Sequence, residues 1–219
     1  ANFAGLLAAR RALLLRQGWD PESRGLAGAP PLRVVAGDEV HVSMLKAVAM
    51  AGLGRDRVER VPVDDQGRLR VDALPPLDPA TIVCLQAGNV NTGASDPFLP
   101  VIEAARAAGA WVHVDGAFGL WAAASPGQAG QVAGADGADS WATDLHKWLN
   151  VPYDGGVVLV RDPAMLSGAM GGSAAYLIER GPREGMHHAP DSSRRARAVD
   201  ACAALRSLRR AGVAELVAR

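Results

Sequence analysis

The sequence predicts an α/β fold in which a mainly parallel sheet is sandwiched by helices. Short apolar runs alternate with longer segments of helical periodicity along the whole chain. One run, TIVCLQ at 81–86, is apolar almost throughout, which is typical of a strand buried on both faces of a parallel sheet. Because the 219 residues contain neither a repeat nor a low-complexity segment, we expect one domain.

The first half of the chain alternates between helices and strands. Residues 1–17 predict an amphipathic helix that is interrupted by Arg10 and Arg11, and a turn-rich connection follows at 18–31. A helix over 41–53 should be closed by Gly54, and a brief helix is expected over 71–77. The apolar runs predict strands at 32–36, 58–63 and 81–86.

The second half continues this alternation. Asp96 and Pro97 predict the N-cap and first residue of a helix that ends at Gly109. Strands are expected at 111–114, 139–143 and 156–161, an irregular Gly-rich stretch over 165–189, and a long helix over 193–211. Strands separated by helices at this spacing imply right-handed crossovers.

Composition limits the classes of protein to which the chain can belong. The 23 Lys and Arg residues balance 23 Asp and Glu residues, so no basic field for nucleic acid is expected. No window approaches the roughly 18–20 apolar residues of a membrane span, and the start lacks a signal-peptide pattern. We therefore expect a soluble, cytoplasmic protein, in which Cys84 and Cys202 are small buried side chains rather than a disulfide.

Two polar side chains occupy the carboxyl ends of neighbouring predicted strands. Asp115 ends the strand WVHV, and Lys147 follows the strand DSWAT, 32 residues later. Ligands in open α/β sheets bind at this edge, so we expect both side chains to face one crevice. A plain ion pair between them is the alternative, although buried ion pairs are costly.

This pairing suits the chemistry of pyridoxal phosphate (PLP). A lysine in a desolvated pocket loses its proton readily and can form a Schiff base with the cofactor's aldehyde. A carboxylate beside the pyridine nitrogen keeps that nitrogen protonated, through a bond worth roughly 1.5–3 kcal/mol, so that the ring accepts electrons. Lys147 and Asp115 therefore predict PLP as the cofactor.

The segments around both residues resemble a known family. HVDGAFG (113–119) and DSWATDLHKWLNVPYDGG (139–156) are similar to the cofactor-binding motifs of the group II PLP-dependent decarboxylases, which act on glutamate, histidine and aromatic amino acids. The linked pattern D-x-A and H-K-W is more specific than either part alone. The resemblance implies the PLP-dependent transferase fold type I, also called aspartate-aminotransferase-like.

The resemblance also implies roles for further residues around the ring. His41, within DEVHVS at 38–43, would stack on the ring, with a local hydrogen bond at a helix start as the alternative. The small Ala117 would lie beneath the ring. Asn89, where the family has a hydroxyl residue, would support Asp115 or a ring substituent.

The resemblance extends to both sides of Lys147. His146 would contact the phosphate or the substrate, and Asp144 would bind the cofactor or only shape the turn. Ser192–Arg195 is similar to the family's Ser-Arg-Arg, although an N-cap followed by solvated arginines explains it equally well. No metal site is suggested.

The implied reaction is decarboxylation of an L-amino acid, in which the substrate displaces Lys147 from the cofactor. One departure concerns the reprotonating acid, because 178–190 contains no tyrosine; His187 or His188 could serve, or could be solvated loop residues. The alternatives are an aldehyde synthase, an aminotransferase, a carbon–carbon lyase, or a catalytically inactive remnant that assembles with a full-length partner.

The resemblance covers essentially the whole chain. Residues 1–219 would form the PLP-binding large domain of a homodimer. We expect an N-terminal segment with the phosphate-binding turn, and a small C-terminal domain, to lie outside this chain.

Overall fold

A six-stranded sheet forms the centre of the protein, in a computed structural model that describes residues 1–172 and 185–219. Its strands are β1 (Arg33–Gly37), β2 (Val58–Val61), β3 (Thr81–Gln86), β4 (Trp111–Asp115), β5 (Ser140–Asp144) and β6 (Gly156–Val160). The strand order is β2-β1-β3-β4-β5-β6, with β1 to β5 parallel and β6 antiparallel to β5. The predicted α/β class and mainly parallel sheet are confirmed.

Seven α-helices accompany the sheet in the described part of the chain. They are α1 (Asn2–Arg16), α2 (Pro21–Arg24), α3 (Val42–Met50), α4 (Phe98–Ala108), α5 (Leu145–Trp148), α6 (Pro163–Met170) and α7 (Arg197–Ala218). Short 3-10 turns occur at Arg55–Arg57, Val71–Ala73, Gly119–Ala124, Ala129–Val132, Ala135–Gly137 and Gly185–His188. No helix of the segments 1–172 and 185–219 is both long and apolar enough to cross a membrane.

Alternate side chains of each central strand enter different cores, because successive residues of a strand point to opposite faces. Val34 and Ile82 pack with α1 and α3 on one face, whereas Val35 and Val83 pack with α4 on the other. All four side chains are almost completely buried, and each contributes roughly 1.5–3 kcal/mol to stability. Helices therefore cover both faces, as predicted.

The strand order reverses between β1 and β3. The chain passes from β1 to β2 on one side and then places β3 on the other side of β1. The carboxyl edge at such a reversal is where ligands bind in open α/β sheets.

Helix α1 is more deeply buried than an amphipathic surface helix. Leu6 and Leu13 pack on the sheet, while Ala4 and Ala8 pack against Leu166 of α6. The sequence pattern predicted a surface helix because α6, which packs on Ala4 and Ala8, lies in the stretch that we expected to be irregular.

Several predicted boundaries are wrong. Helix α3 ends at Met50 and not beside Gly54, and the long helix begins at Arg197 rather than 193 and continues to Ala218. Asp96 does not cap α4, which has no side-chain cap. Its carboxylate instead accepts the backbone N–H groups of Leu69 (2.7 Å) and Gln86 (2.6 Å), because burial demands partners for it.

The expectation for the cysteines is half right. Cys84 is buried in β3, and its thiol pKa is raised by burial to about 12. Cys202, on α7, is exposed instead.

Candidate active site

The carboxyl ends of β3, β4 and β5 are joined by backbone hydrogen bonds just beyond the strands. Ala87 N–H donates to Asp115 O (2.8 Å), and Gly116 N–H donates to the carbonyl of Ala142 (2.8 Å). Asp144 N–H donates to Ala117 O (2.9 Å). These bonds fix the turn after β4 against both neighbouring strands, so the side chains at this edge have defined positions.

Asp115 is the last residue of β4 and is 5% exposed. Its Oδ2 accepts the side-chain amide of Asn2 (2.9 Å), and its Oδ1 accepts Ala117 N–H (3.2 Å). Burial raises the pKa of the carboxyl, and these two hydrogen bonds oppose that rise. Among the described residues, no lysine or arginine lies within 4 Å of the carboxylate.

The turn after Asp115 approaches the end of β3 very closely. A methyl group at Gly119 would lie 2.5 Å from the carbonyl carbon of Ala87 and 2.8 Å from Gly88 N, so only glycine fits there. Ala117, which lies within this turn, is half-buried. The small residues of the turn therefore allow its backbone to pack directly against the end of β3.

Lys147 lies on the four-residue helix α5, one turn beyond the end of β5. Its Nζ is 3.1 Å from Asp144 Oδ2 and 5.8 Å from the centre of the Phe118 ring. The side chain is 41% exposed, which differs from the desolvated lysine that we expected. The described residues bury Leu145 of the same turn but leave the Lys147 side chain partly open to solvent.

His146 and Asp144 lie beside Lys147. The ring of His146 stacks on Tyr153 at 4.6 Å, and its Nδ1–H donates to Gly155 O (3.0 Å). Its Nε2 is 3.8 Å from Asp144 Oδ2. Asp144 thus faces both basic side chains of the motif, while Tyr153 and Gly155 hold the imidazole in place.

His41 lies at the same edge, after β1. It is the N-cap of α3, where its Nδ1 accepts the N–H of Ser43 (3.2 Å). Its own backbone N–H donates to Gln86 Oε1 (3.2 Å), and Gln86 is paired in register with Asp115. The local hydrogen bond that we considered is present, and the imidazole is near enough to Asp115 to favour its ionised form.

Asn89 is engaged elsewhere. Its Nδ2 donates to Glu39 Oε2 (2.8 Å), and its Oδ1 accepts the N–H groups of Asn91 (2.8 Å) and Thr92 (3.3 Å). The structure gives it no hydrogen bond to Asp115 within the described residues. Its role at the cofactor stays a prediction.

The remaining candidates lie away from this edge or outside the described residues. The imidazole of His187 lies beside Gly171, at the end of α6. Arg195 donates to Tyr153 O (3.0 Å), and Ser192 does not cap α7. Tyr176 and most of the tyrosine-free stretch 178–190 fall in 173–184, outside the described residues.

Two residues at the site were not predicted from the sequence. Asn2 reaches Asp115 from α1, and His113 bonds to the same amide (Nε2 to Asn2 Oδ1, 3.1 Å). A histidine inside an otherwise apolar buried strand was an available signal for His113. Nothing in the sequence indicated Asn2, since it is 113 residues from its partner.

Comparison with known proteins places this geometry in a family. The family described as "Pyridoxal-dependent decarboxylase conserved domain" matches residues 1–218. Tryptophan decarboxylase 1 of Oryza sativa subsp. japonica is 33% identical over 203 residues, covering 88% of this chain and 37% of the relative. Aspartate 1-decarboxylase of Aliivibrio fischeri is 31% identical over 212 residues, covering 89% and 38%. The chain thus spans less than two fifths of the length of these relatives.

Solved structures share the fold. The structure of mouse CSAD superposes with a TM-score of 0.84 at 24% identity, covering 98% of this chain and 47% of that one. The structure of Oryza sativa TDC with PLP and tryptamine gives 0.81 at 26%, covering 98% and 46%. Rhodiola rosea 4-hydroxyphenylacetaldehyde synthase also shares the fold (0.76 at 23%, covering 99% and 45%).

The fold is that of the type I PLP enzymes, as the resemblance implied. The match over residues 1–218 and the decarboxylase relatives extend the agreement from the fold to the family. The chain therefore belongs to the pyridoxal-dependent decarboxylase family, whose cofactor is pyridoxal phosphate.

Proposed function

We propose that the protein carrying this chain decarboxylates an L-amino acid, with the cofactor attached covalently through Lys147 Nζ. The observation that carries this proposal is the buried carboxylate of Asp115, which has no lysine or arginine near it among the described residues. A buried carboxylate is costly without a charged partner. The protonated pyridine nitrogen of PLP is a partner of the right charge, so the residues present fit the cofactor.

Three side chains would hold the ring. Asp115 would accept a charge-assisted hydrogen bond from the protonated pyridine nitrogen, and Ala117 would leave room beneath the ring. His41 supplies a flat imidazole for stacking from the opposite side. When bound, PLP supplies an electron sink for the electron pair left on the α-carbon as carbon dioxide departs.

The motif around Lys147 would position its amine. Asp144 lies 3.1 Å from Nζ and directs it across the strand ends, while the stacked ring of His146 supports the segment on the other side. The carboxylate of Asp144 can also accept the proton that Nζ releases. His146 is proposed to contact the phosphate or substrate through Nε2, because Nδ1 is already bonded to Gly155. Asn89 is proposed to support the site indirectly, through the loop that it braces.

A second PLP reaction is favoured by one sequence observation. The stretch 178–190 contains no tyrosine to reprotonate the α-carbon, and a solved 4-hydroxyphenylacetaldehyde synthase shares the fold. An aldehyde synthase, another PLP reaction on an amino acid, or an inactive remnant is therefore the alternative function.

The assembly and surroundings of the protein are part of the proposal. Residues 1–219 would form the PLP-binding large domain of a cytoplasmic homodimer. Val42, next to His41, is 70% exposed, and Val90, next to Asn89, is 61% exposed, so apolar surface is available beside the site for a second subunit. Light scattering of the purified full-length protein should give twice the mass of one chain.

The reaction is tested with the full-length protein, PLP and a panel of L-amino acids. We expect one substrate to yield carbon dioxide and the matching amine in equal amounts, with no ammonia. A Lys147→Ala variant should lose this activity, whereas Lys46→Ala should retain it. Release of ammonia with an aldehyde would identify the aldehyde synthase. No turnover of any amino acid would contradict every enzymatic interpretation and identify the inactive remnant.

A further inference from the structure

The side chain of Asn2 lies between two polar groups of β4. Its Nδ2 is 2.9 Å from Asp115 Oδ2, and its Oδ1 is 3.1 Å from His113 Nε2. An ionised carboxylate only accepts hydrogen bonds, so the amide N–H must face Asp115. The amide oxygen then faces the imidazole, which requires the His113 proton to be on Nε2.

The other nitrogen of the imidazole continues the series. His113 Nδ1 is 2.8 Å from Ser140 Oγ, and Trp111 Nε1 is 2.9 Å from the same oxygen. An indole nitrogen only donates, so Ser140 accepts from Trp111 and gives its own proton to Nδ1. His113 is completely buried, and burial lowers its pKa to about 3, which keeps the ring neutral.

We propose that Asn2 and His113 are positioning residues, the last links of a one-way hydrogen-bond chain that orients the Asp115 carboxylate. The chain runs Trp111 to Ser140 to His113 to Asn2 to Asp115, and every N–H or O–H points towards the carboxylate. Its direction cannot reverse, because an indole cannot accept at one end and a carboxylate cannot donate at the other. This inference rests on the proposed function for its purpose, since the oriented carboxylate is the group that would bind the cofactor ring.

A glycine in α1 allows the helix to pack close enough to β4 for this hydrogen-bond chain to form. Gly5 packs directly against the imidazole of His113, and a methyl group there would overlap the ring and lie 2.7 Å from Nδ1. A glycine inside a helix otherwise costs about 1 kcal/mol relative to alanine. The close approach of α1 brings Asn2 within reach of both side chains of β4.

The hydrogen-bond chain also affects the pKa of Asp115. Burial raises the pKa of the carboxyl, and the bond from Asn2 is the largest influence that lowers it, followed by Ala117 N–H. The other charged groups that influence this pKa are Asp144, which raises it, and His41, which lowers it. Loss of the Asn2 side chain should therefore raise the pKa of Asp115 and leave its carboxyl group without a fixed orientation.

The tautomer of His113 is the first test and needs no variant. In the full-length protein without added cofactor, labelled with ¹⁵N-histidine, long-range ¹H–¹⁵N spectra should show one histidine that is neutral, with its proton on Nε2, from pH 5 to 8. A His113→Gln variant assigns the signal. A proton on Nδ1, or a doubly protonated ring in that range, would overturn the proposal.

The second test measures the Asp115 carboxyl itself. With ¹³C-aspartate labelling of the same cofactor-free protein, Asn2→Ala should raise the titration midpoint of Asp115 by about one pH unit, as expected for loss of one charge-assisted bond. Gly5→Ala, which removes no polar group, should shift it in the same direction by displacing the imidazole. The matched controls are Asn91→Ala, at an exposed asparagine, and Gly127→Ala, where a methyl group meets nothing within 4 Å.

These readouts separate the two proposals. The tautomer and the Asp115 midpoint are both measured without PLP, so their outcomes do not depend on the reaction. If the tautomer and the shifted midpoints are found but no amino acid is turned over, only the proposed function fails. If the Asp115 midpoint is the same in wild type, Asn2→Ala and Gly5→Ala, the positioning chain is overturned, whatever the enzyme does.

Discussion

Asp115 and Lys147 lie at the same edge of the sheet, but the structure holds the two side chains differently. Asp115 is 5% exposed and is fixed by hydrogen bonds from α1 and from its own turn. Lys147 is 41% exposed, on a helix of one turn, and its described partner is the partly buried carboxylate of Asp144. The proposed ring-nitrogen side is thus held by the core, whereas the proposed attachment side depends on the surface segment after β5.

The surface segment after Lys147 is held by different forces. Arg197 of α7 pairs with both oxygens of Asp154 (2.6 and 2.5 Å), and Arg195 donates to Tyr153 O. Tyr153 in turn stacks on His146. Such exposed ion pairs contribute little to stability. Mutations in this segment should therefore change the local positions of side chains but not the free energy of unfolding.

The largest expected effect concerns the carboxylate. Asp115→Ala should lower turnover of the full-length enzyme by at least about 10- to 100-fold, because the ring nitrogen loses a charge-assisted hydrogen bond. Steady-state kinetics with saturating PLP measure this, with Asp65→Ala, at an exposed aspartate, as the control. Turnover close to that of wild type would mean that another group supports the nitrogen.

Burial of neutral His113 should also make the free energy of unfolding depend on pH. The pKa of His113 is about 3 in the folded protein against about 6.5 when unfolded, so between these values the unfolded chain binds more protons. Its contribution to stability is therefore complete above pH 6.5 and is lost as the pH falls towards 3, by roughly 3–5 kcal/mol in total.

Urea unfolding at pH 7 and pH 4.5 measures this loss. In a His113→Gln variant, the difference between the two pH values should be smaller by a few kcal/mol, whereas His188→Gln should behave like wild type. An unchanged difference in His113→Gln would mean that the imidazole is not buried in neutral form.

The smallest effect is expected on the surface side. Arg197→Gln removes the pair with Asp154 but should leave the melting temperature within error of wild type, because both groups are solvated. The environment of Tyr153 should change, and its ring signals in NMR spectra report this. A large fall in melting temperature would show that the segment after β5 is as tightly integrated as the Asp115 side.

The same contrast explains what could be predicted from the sequence. Strand β3 was predicted at its observed bounds, since a continuous apolar run is sufficient to indicate a buried strand. Asp115 and Lys147 were predicted as site residues from motifs that are local in sequence, and the structure places both residues at the same edge of the sheet. Helix α6 was missed although Asp162 and Pro163 are typical of a helix start, because the glycines that follow suggested irregular structure.

Long-range partners could not be predicted. Asn2 meets Asp115 only because α1 packs across β4, and Asp96 serves β3 and Leu69 instead of its own helix. The exposure of Lys147 was also unforeseen, since the sequence does not indicate which segments cover a side chain. These features depend on packing between elements that are distant in sequence.

The residue that carries the cofactor can be identified chemically. The full-length protein is loaded with PLP, reduced with borohydride, digested and mapped by mass spectrometry. We predict that the pyridoxyl label is on Lys147, in the peptide containing His146 and Trp148, and that Lys147→Arg abolishes it. A label on Lys46, the other lysine of the chain, or the same labelling in Lys147→Arg would contradict the account.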